Sequence, residues 1–404
     1  MPRLRQPAYI RLFNRLGQTL VQRGLSLPNL QAVTLTRKAM RRTRLVDWGD
    51  DSWRDGLNLL VEDLNQSAHL SQTGRIAAYL NLLDHLSVRL NLIDHRKQHP
   101  QIADQRIDRP LFILGLPRTG TSILHELLAC DPSLRAPATW EVAKPMTPPV
   151  GADDRRSVHT GRLLSLLEQL SPGFKTIHAL GAELPQECVY ILASAMLSEQ
   201  FGYMYNVPNY RDALLRRDMS CAYRWHRQFL QHLQPSAPHR RWVLKTPAHL
   251  GQLKALLSVY PDALIVWTHR RPLQAVASFA SLLRTLRSGF SDRVDPRAIG
   301  EYEVRHAAAN LERGLSARAE LDEQQFIDVD FQAICEDPLA AIERIYQHFG
   351  FAPGPGAHSR MRRYLAQRPR DLYGVHHYSA DEFGLDTEVE ARWFDEYLRA
   401  HHAG

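Results

Sequence analysis

A short apolar run, a glycine-containing turn and a helical segment follow one another in LFILGLPRTGTSILHELL, residues 111–128. The run Leu111–Leu114 is continuous and stops at Gly115, as a strand buried on both faces does. After the turn, apolar residues recur at helical spacing at Ile123, Leu124, Leu127 and Leu128. A buried strand that leads through a tight turn into a helix is typical of a parallel sheet, which constrains the fold strongly.

Three similar apolar runs follow along the chain: Trp242–Leu244, Ala263–Trp267 and Phe326–Val329. Between the runs, the apolar spacing predicts helices around Cys188–Phe201, Tyr223–Leu233 and Leu273–Leu286. Strands that alternate with helices indicate an α/β fold, in which a parallel β-sheet carries helices on both faces.

The first hundred residues have a different pattern, without strand-like alternation. Their apolar residues recur at i, i+3, i+4 and i+7, as in Leu57, Leu60, Val61 and Leu64 and again in Tyr79, Leu83, Leu86 and Leu90. We therefore expect an N-terminal helical cap over residues 1–105, an α/β core over 106–352 and a C-terminal extension, 353–404, packed on the core.

Positive charge is concentrated at the N-terminus. Residues 1–50 hold ten Lys and Arg but two Asp and Glu, a balance of +8, whereas the net charge of the whole chain is +7, so the remaining residues sum to about −1. Such a basic arm allows peripheral contact with an anionic membrane or an acidic partner, although a solvated helical face is the simpler explanation. The arm has few aromatics to stack on bases, so we expect no nucleic-acid partner.

The cysteines and the lengths of the apolar segments indicate the cellular compartment. The four cysteines form no CxxC pair and no zinc-ligand spacing, which favours reduced thiols in the cytoplasm. No apolar stretch approaches the roughly 20 residues of a membrane span, and arginines interrupt every apolar run near the N-terminus. We therefore expect a cytoplasmic protein.

The turn at residues 115–122 has the features of a phosphate-binding loop. Gly120 lets the backbone curl around an anion, toward which the amides of residues 120–122 and the helix dipole point. The hydroxyls of Thr119, Thr121 and Ser122 are further donors. The spacing G-x4-G is that of nucleotide triphosphatases, but Thr121 replaces their lysine, and Arg118 stands two residues before the glycine instead. This change disfavours a magnesium triphosphate ligand.

The segment PRTGTS, residues 117–122, closely resembles the 5′-phosphosulfate loop of the sulfotransferases that use 3′-phosphoadenosine-5′-phosphosulfate (PAPS). The resemblance implies that Arg118, Thr119, Gly120, Thr121 and Ser122 bind the 5′-phosphate. It also implies that the Arg118 side chain faces the leaving group.

A second segment, ALIVWTHRRPLQAVASF, is similar to the 3′-phosphate motif of the same family. In that motif an arginine ends a strand, a proline follows, and a serine comes eight residues after the arginine. Arg270, Pro272 and Ser278 have this spacing, so the resemblance implies that Arg270 and Ser278 bind the 3′-phosphate. Arg271 competes for the role of Arg270, and an ordinary basic strand end is the simpler alternative.

The wider similarity is to the bacterial sulfotransferase family and covers most of the chain. It implies a P-loop-like fold and in-line transfer of the sulfuryl group from PAPS to a hydroxyl acceptor, with adenosine 3′,5′-bisphosphate (PAP) as product and no metal. The acceptor is a small molecule, a lipid or a carbohydrate. The C-terminal glycine-rich phosphate motif of the animal cytosolic enzymes is not found, which leaves open the residues that cover the adenosine.

The expected chemistry needs cations at the leaving group and a base at the acceptor. Arg118 is the first candidate cation, and Lys245, at a strand end, is the second. Glu141 is the first candidate base, because an acidic residue follows the phosphate loop at a similar distance in carbohydrate sulfotransferases. His178 is the second candidate base and His249 the third.

Two other classes of function remain open at this point. The first is a P-loop kinase or nucleotide triphosphatase, against which the missing lysine argues. The second is a non-catalytic module that binds PAP or a glycan.

Overall fold

Four helices occupy most of the first hundred residues. The protein is described by a computed structural model that covers residues 6–22, 28–147, 153–237, 239–368 and 378–401, so parts of the basic arm and of the TPPVGADDRR segment lie outside the described residues. The helices are α1 (Ala8–Gln22), α2 (Ala32–Thr43), α3 (Ser52–Gln66) and α4 (Gln72–Gln98). The Ser71 hydroxyl accepts a hydrogen bond from the Gly74 amide at 3.0 Å and so caps the start of α4.

Five parallel strands form one sheet. They are β1 (Leu111–Gly115), β2 (Leu134–Arg135), β3 (Arg241–Lys245), β4 (Leu264–His269) and β5 (Phe326–Asp330), in the order β2-β3-β1-β4-β5. Four of these strands contain the apolar runs singled out in the sequence, and the predicted parallel α/β fold is confirmed. Strand β2 was missed, because two residues form no apolar run.

Both faces of the sheet are buried. Along β1, Leu111 and Ile113 belong to one hydrophobic core, whereas Phe112 and Leu114 belong to another. Because successive side chains of a strand point to opposite faces, these two cores lie on the two sides of the sheet. A strand with core on both sides has no polar face, which explains its unbroken apolar sequence.

The other helices connect the strands and cover both faces. They are α5 (Thr121–Leu128), α6 (Thr139–Ala143), α7 (Arg156–Leu170), α8 (Phe174–Ile177), α9 (Cys188–Ala193), α10 (Gln200–Met204), α11 (Pro208–Arg216), α12 (Ser220–Leu233), α13 (Leu253–Val259), α14 (Pro272–Arg287), α15 (Pro296–Arg318), α16 (Phe331–Glu336), α17 (Pro338–Phe349), α18 (Ala357–Gln367) and α19 (Thr387–His401). Short 3-10 helices lie at Pro100–Asp104, Gln234–Ser236, Pro247–Gln252, Glu323–Gln325 and Asp381–Phe383. No helix of the described part of the chain is both long and apolar enough to cross a membrane.

The segment Cys188–Phe201 differs from the expectation of one helix. It contains α9 and the start of α10, separated by a turn in which Met196 has a φ of 55°. A non-glycine residue in this left-handed region does not continue a helix. The predicted helices Tyr223–Leu233 and Leu273–Leu286 are confirmed, since they lie within α12 and α14.

The strand ends bring distant parts of the chain to one edge of the sheet. In a parallel sheet all carboxyl ends lie at the same edge, and ligands bind there, beside the strand where the order changes direction. Strand β1 lies between β3 and β4. The glycine loop after β1, Lys245 at the end of β3 and Arg270 after β4 therefore lie at neighbouring positions.

Candidate active site

A cavity of about 320 Å³ opens at this edge. Its polar lining residues are those of the glycine loop together with His178, Glu187, Lys245 and Arg270. Its larger apolar lining residues are Leu164, Phe174, Leu180, Leu184, Tyr190, Tyr203, Met204, Phe279, Leu282 and Leu286. The cavity thus combines charged groups with a large apolar lining.

The glycine loop lies in the conformation that an anion site requires. Gly120 has a φ of 90°, and a Cβ atom there would lie 2.9 Å from the side chain of Ile334. Any side chain at this position is therefore both strained and crowded. Helix α5 starts immediately after Gly120, so the first amides of the helix have no partner within it. Thr121 and Ser122 line the cavity beside these amides.

Thr119 occupies a different position from the one expected. Its side chain is 1% exposed and does not line the cavity. The hydroxyl donates to the carbonyl oxygen of Leu116 at 2.6 Å and lies 2.6 Å from the Thr268 hydroxyl of β4. The expected contact with a ligand is therefore corrected: the Thr119 hydroxyl holds the loop against the sheet.

Arg118 and Arg270 lie side by side although they are far apart in sequence. Nη1 of Arg270 donates to the backbone carbonyl of Arg118 at 2.9 Å, and its guanidinium lies 4.2 Å from the centre of the Phe331 ring. Arg118 itself has a φ of 71°. Burial, and next the charge of Arg270, lower the pKa of the Arg118 guanidinium. Two adjacent cations at the mouth of an amide-lined loop favour a ligand with several negative charges.

Ser278 lies beside this pair but is not part of the cavity wall. The residue is 4% exposed, and its hydroxyl accepts a hydrogen bond from Nε of Arg118 at 3.2 Å. Nη1 of Arg118 donates to the carbonyl of Ile177 at 3.1 Å, which fixes the other end of the guanidinium. The structure therefore brings Ser278 close to Arg118, whereas the sequence similarity implied that Ser278 and Arg270 bind one phosphate together.

Of the two neighbouring arginines, only Arg270 faces the cavity. Arg271 binds the Glu390 carboxylate of α19, with Nε to Oε2 at 2.9 Å and Nη2 to Oε2 at 2.7 Å. Its side chain is 56% exposed on that side. Of the two arginines between which the sequence left the choice open, Arg270 is therefore the one placed to contact a ligand in the cavity.

Lys245 and Glu187 form a buried ion pair at the base of the cavity. Nζ of Lys245 donates to the Glu187 carboxylate and, at 3.0 Å, to the Ser122 hydroxyl of the loop. The second carboxylate oxygen accepts from the Thr246 hydroxyl at 3.2 Å. Burial alone would raise the pKa of Glu187, but the charge and the hydrogen bond of Lys245, together with His178 and His125, outweigh burial and hold that pKa below its usual value.

The sequence reasoning missed Glu187 as a site residue. It lies directly before α9, in the segment ELPQEC, and is one carboxylate among many in the sequence. Its partner Lys245 is 58 residues away on β3. The one available signal was that Glu187 lies in a segment that resembles the family.

His178 lines the cavity near this ion pair. Burial lowers its pKa to about 4, although the nearby carboxylate of Glu187 acts in the opposite direction. The ring is therefore neutral at pH 7 and can accept a proton.

Glu141 is directed elsewhere, which corrects the expectation that its loop reaches the same site. Its Oε2 accepts from the Ala138 amide at 2.9 Å, at the start of α6, and its Oε1 accepts from Nη2 of Arg135 at 2.8 Å. Glu141 does not line the cavity. An acid three residues into a helix commonly bonds back to the amide before the helix, and here this local contact determines where the side chain points.

His249 is also remote from the cavity wall. It is fully buried, and its Nδ1 hydrogen-bonds with the Tyr223 hydroxyl at 2.7 Å. Its ring packs edge to face on Phe112, with centroids 5.0 Å apart. Burial lowers its pKa well below the usual value, so His249 is a neutral core residue.

In the residues that the structure describes, no group of three or more His, Cys, Asp or Glu side chains is placed to hold a metal ion. None of the four cysteines, all of which lie within the described ranges, forms a disulfide.

Comparison with known proteins identifies the family. The model of the sulfotransferase family matches residues 110–352. Among curated proteins, the omega-hydroxy-beta-dihydromenaquinone-9 sulfotransferase Stf3 is 27% identical over 280 residues, which cover 64% of this chain and 67% of that protein. This match is found for both Mycobacterium bovis and Mycobacterium tuberculosis.

Two solved structures are similar over nearly the whole chain. Sulfotransferase STF1 from Mycobacterium tuberculosis is 31% identical, has a TM-score of 0.80 and covers 91% of this chain and 98% of its own. Sulfotransferase STF9 from Mycobacterium avium is 28% identical, has a TM-score of 0.82 and covers 93% of this chain and 98% of its own. Since the family model matches more than half of the chain and these structures share its fold, this protein belongs to the sulfotransferase family.

Proposed function

We propose that this sulfotransferase transfers the sulfuryl group of PAPS to the hydroxyl of an apolar acceptor. The observation that carries the proposal is one cavity whose lining combines the cationic glycine loop with many apolar side chains. We assign a cationic compartment to a nucleotide with two phosphates and an apolar compartment to the body of the acceptor.

The polar compartment fits the donor in two respects. First, Gly120 leaves room for an anion close to the backbone. Second, Nε of Arg270 is buried and, among the described residues, has no hydrogen-bond partner. A buried donor without a partner is costly, and a phosphate oxygen would satisfy it.

The residues around the donor would have distinct tasks. The amides that begin α5, with the hydroxyls of Thr121 and Ser122, would hold the 5′-phosphate. Arg270 would bind the 3′-phosphate. Arg118, held by Ser278, and Lys245, held by Ser122, would neutralise the negative charge that grows on the leaving oxygen. PAPS supplies a sulfuryl group on a good leaving group, so orientation and charge neutralisation provide most of the catalysis.

We assign the role of general base to Glu187 in place of Glu141. Glu187 lines the cavity, and Lys245 links it to the phosphate loop through Ser122. As Lys245 turns toward the leaving oxygen, the carboxylate loses part of its stabilising charge and becomes a stronger base for the acceptor proton. His178, neutral at pH 7, is the second candidate.

The apolar compartment limits the acceptor class. Aromatic and aliphatic side chains surround it, whereas a carbohydrate would need many hydrogen-bonding groups. The similar protein Stf3 acts, as its name states, on a menaquinone with an omega-hydroxyl group. We infer a lipid-like or other largely apolar molecule with one reactive hydroxyl.

The direct test is a labelled transfer reaction. The enzyme is incubated with PAPS that carries ³⁵S-sulfate and, in separate reactions, with the lipid fraction and the water-soluble fraction of a cell extract. We expect a sulfated product in the lipid fraction, identified by mass spectrometry. A product confined to the water-soluble fraction would contradict the apolar acceptor, and no product in either fraction would contradict turnover from PAPS.

We also propose that the N-terminal cap contacts a membrane surface through an exposed apolar patch. The patch consists of Tyr9, Leu12, Phe13 and Leu16 of α1 with Leu163 and Leu166 of α7, each between 45% and 61% exposed. The Tyr9 hydroxyl donates to Oε1 of Gln169 at 2.6 Å, which joins the two helices. Helix α1 carries two arginines and no acid. An apolar surface with positive charge nearby suits an anionic bilayer, and α7 also contributes Leu164 to the cavity.

A further inference from the structure

The C-terminal helix α19 hydrogen-bonds with His269 and Arg271, the residues on either side of Arg270. Its Glu390 carboxylate binds the Arg271 guanidinium through both oxygens, with Nε lying 3.0 Å from Oε1 and 2.9 Å from Oε2. Its Tyr397 hydroxyl hydrogen-bonds with Nδ1 of His269 at 2.7 Å. His269 is held from the other side by Asp328 of β5, at 2.6 Å from Nε2.

The alternating direction of side chains along an extended segment explains how these contacts with α19 affect Arg270. Successive side chains point to opposite sides, so His269 and Arg271 face α19 together while Arg270 faces away from it. The contacts of Arg270 agree with this, because they are made with the Arg118 carbonyl and the Phe331 ring. A rotation of the segment about its own axis would move all three side chains at once.

Glu390 also reaches the helix that follows. Its Oε1 accepts from the Leu273 amide at 3.3 Å, in the first turn of α14, the helix that carries Ser278. A negative charge at a helix start is favourable, because it satisfies a free amide and complements the helix dipole. Glu390 is 2% exposed, so its carboxylate makes these contacts away from water. One buried carboxylate therefore holds both the strand end and the helix start.

We infer that Glu390 and Tyr397 of α19 are positioning residues that orient Arg270 toward the 3′-phosphate of the nucleotide. This inference rests on the proposed donor site, in which Arg270 binds that phosphate. It adds a function for the C-terminal extension, which would tune selectivity for a 3′-phosphorylated nucleotide without touching it.

The test compares two ligands that differ in the 3′-phosphate alone. PAP carries it, and adenosine 5′-phosphate lacks it. Calorimetric binding to the full-length chain is measured for both ligands with wild type, Glu390→Gln and Tyr397→Phe. Glu396→Gln, an exposed acid of the same helix, is the matched control.

We expect Glu390→Gln to weaken PAP binding about tenfold, less than loss of the direct contact, while adenosine 5′-phosphate binding changes less than twofold. Tyr397→Phe, which removes one oxygen and keeps the packing, should weaken PAP binding about threefold. The control should bind both ligands as the wild type does.

The contrary outcomes separate the two proposals. If both ligands weaken together in the α19 variants, or if neither weakens, α19 does not orient Arg270. If the wild type itself fails to distinguish the ligands, the 3′-phosphate site proposed at Arg270 is wrong, and the inference about α19 fails with it.

Discussion

Nη1 of Arg270 donates a hydrogen bond to the backbone carbonyl of Arg118 at 2.9 Å, across 152 residues of sequence. This bond connects the loop after β1 to the end of β4 and places two guanidinium groups at one end of the cavity. Placing like charges together costs free energy, which a multiply charged anion would offset.

The first prediction concerns the donor. PAP should raise the melting temperature in the presence of EDTA, because binding to the folded state alone stabilises it and the proposed site needs no metal. Mg-ATP should stabilise less, since Thr121 replaces the lysine of nucleotide triphosphatases. Differential scanning fluorimetry measures both shifts. Equal stabilisation by Mg-ATP, or an absolute requirement for magnesium, would favour a kinase or triphosphatase instead.

The second prediction separates the two phosphate sites. Arg270→Ala should weaken PAP binding by one to two orders of magnitude, because a lost charge-assisted hydrogen bond costs about 1.5–3 kcal/mol. Binding of adenosine 5′-phosphate should change little, since it lacks the 3′-phosphate. Ser278→Ala should weaken both ligands by a smaller and similar factor, because Ser278 holds Arg118, which is assigned to the 5′-phosphate side of the site. Equal losses of affinity for both ligands in Arg270→Ala, measured by calorimetry, would show that Arg270 does not bind the 3′-phosphate.

The third prediction concerns the base. Glu187→Gln keeps the shape of the side chain but removes its charge, so kcat should fall by roughly 10²–10⁴ while PAP binding is largely retained. His178→Ala should cause a smaller loss.

Glu141→Gln is the matched control, because Glu141 binds Arg135 and the start of α6 outside the cavity. It should lower stability more than kcat. A collapse of kcat in this variant, with normal turnover by Glu187→Gln, would restore Glu141 as the base.

The fourth prediction concerns pH. His226 is fully buried, and burial lowers its pKa to about 3. The unfolded chain, with an ordinary histidine pKa near 6.5, binds the proton first, so the free energy of unfolding should fall as pH drops from about 6.5 toward 3. The loss for this residue is about 1.4 kcal/mol per pH unit.

The other buried histidines should also lower the free energy of unfolding as the pH falls. Urea unfolding between pH 7 and pH 5 measures this dependence. The pKa of His125 is lowered to about 3 and that of His306 to about 3, in both cases first by burial. His226→Phe should reduce the slope of stability against pH, whereas His159→Gln, at an exposed position, should not. An unchanged slope in His226→Phe would mean that His226 titrates normally in the folded protein.

The fifth prediction tests the membrane contact. Leu12→Asn combined with Leu16→Asn should greatly reduce co-sedimentation with vesicles of anionic phospholipid, because it removes apolar surface from α1. Leu80→Asn is the control, since Leu80 is 51% exposed on α4 and outside the patch. All variants should keep the PAP-induced thermal shift. Vesicle binding that is equal in all three proteins would exclude the patch, and a concentration-dependent dimer that the double variant abolishes would assign it to self-association.

The local pattern of apolar residues and glycines was sufficient to predict much of the fold. The apolar run Leu111–Leu114 and its counterparts identified four strands, because a strand buried on both faces needs apolar residues at every position. The glycine loop could also be predicted from the sequence, since Gly120 has a backbone conformation that disfavours every other residue. The two-residue strand β2 could not be predicted, because it pairs with β3 without an apolar run of its own.

The sequence by itself determined four of the strands and the glycine loop, since each depends on residues within one strand–turn–helix unit. Only the tertiary structure decided which polar side chains reach the cavity. Glu187 became a site residue through Lys245, 58 positions away, while Glu141 bonded to its own helix start and to Arg135. The physical reason is that a buried charge must be paired, and its partner is chosen by the fold across the sheet rather than by neighbours in sequence.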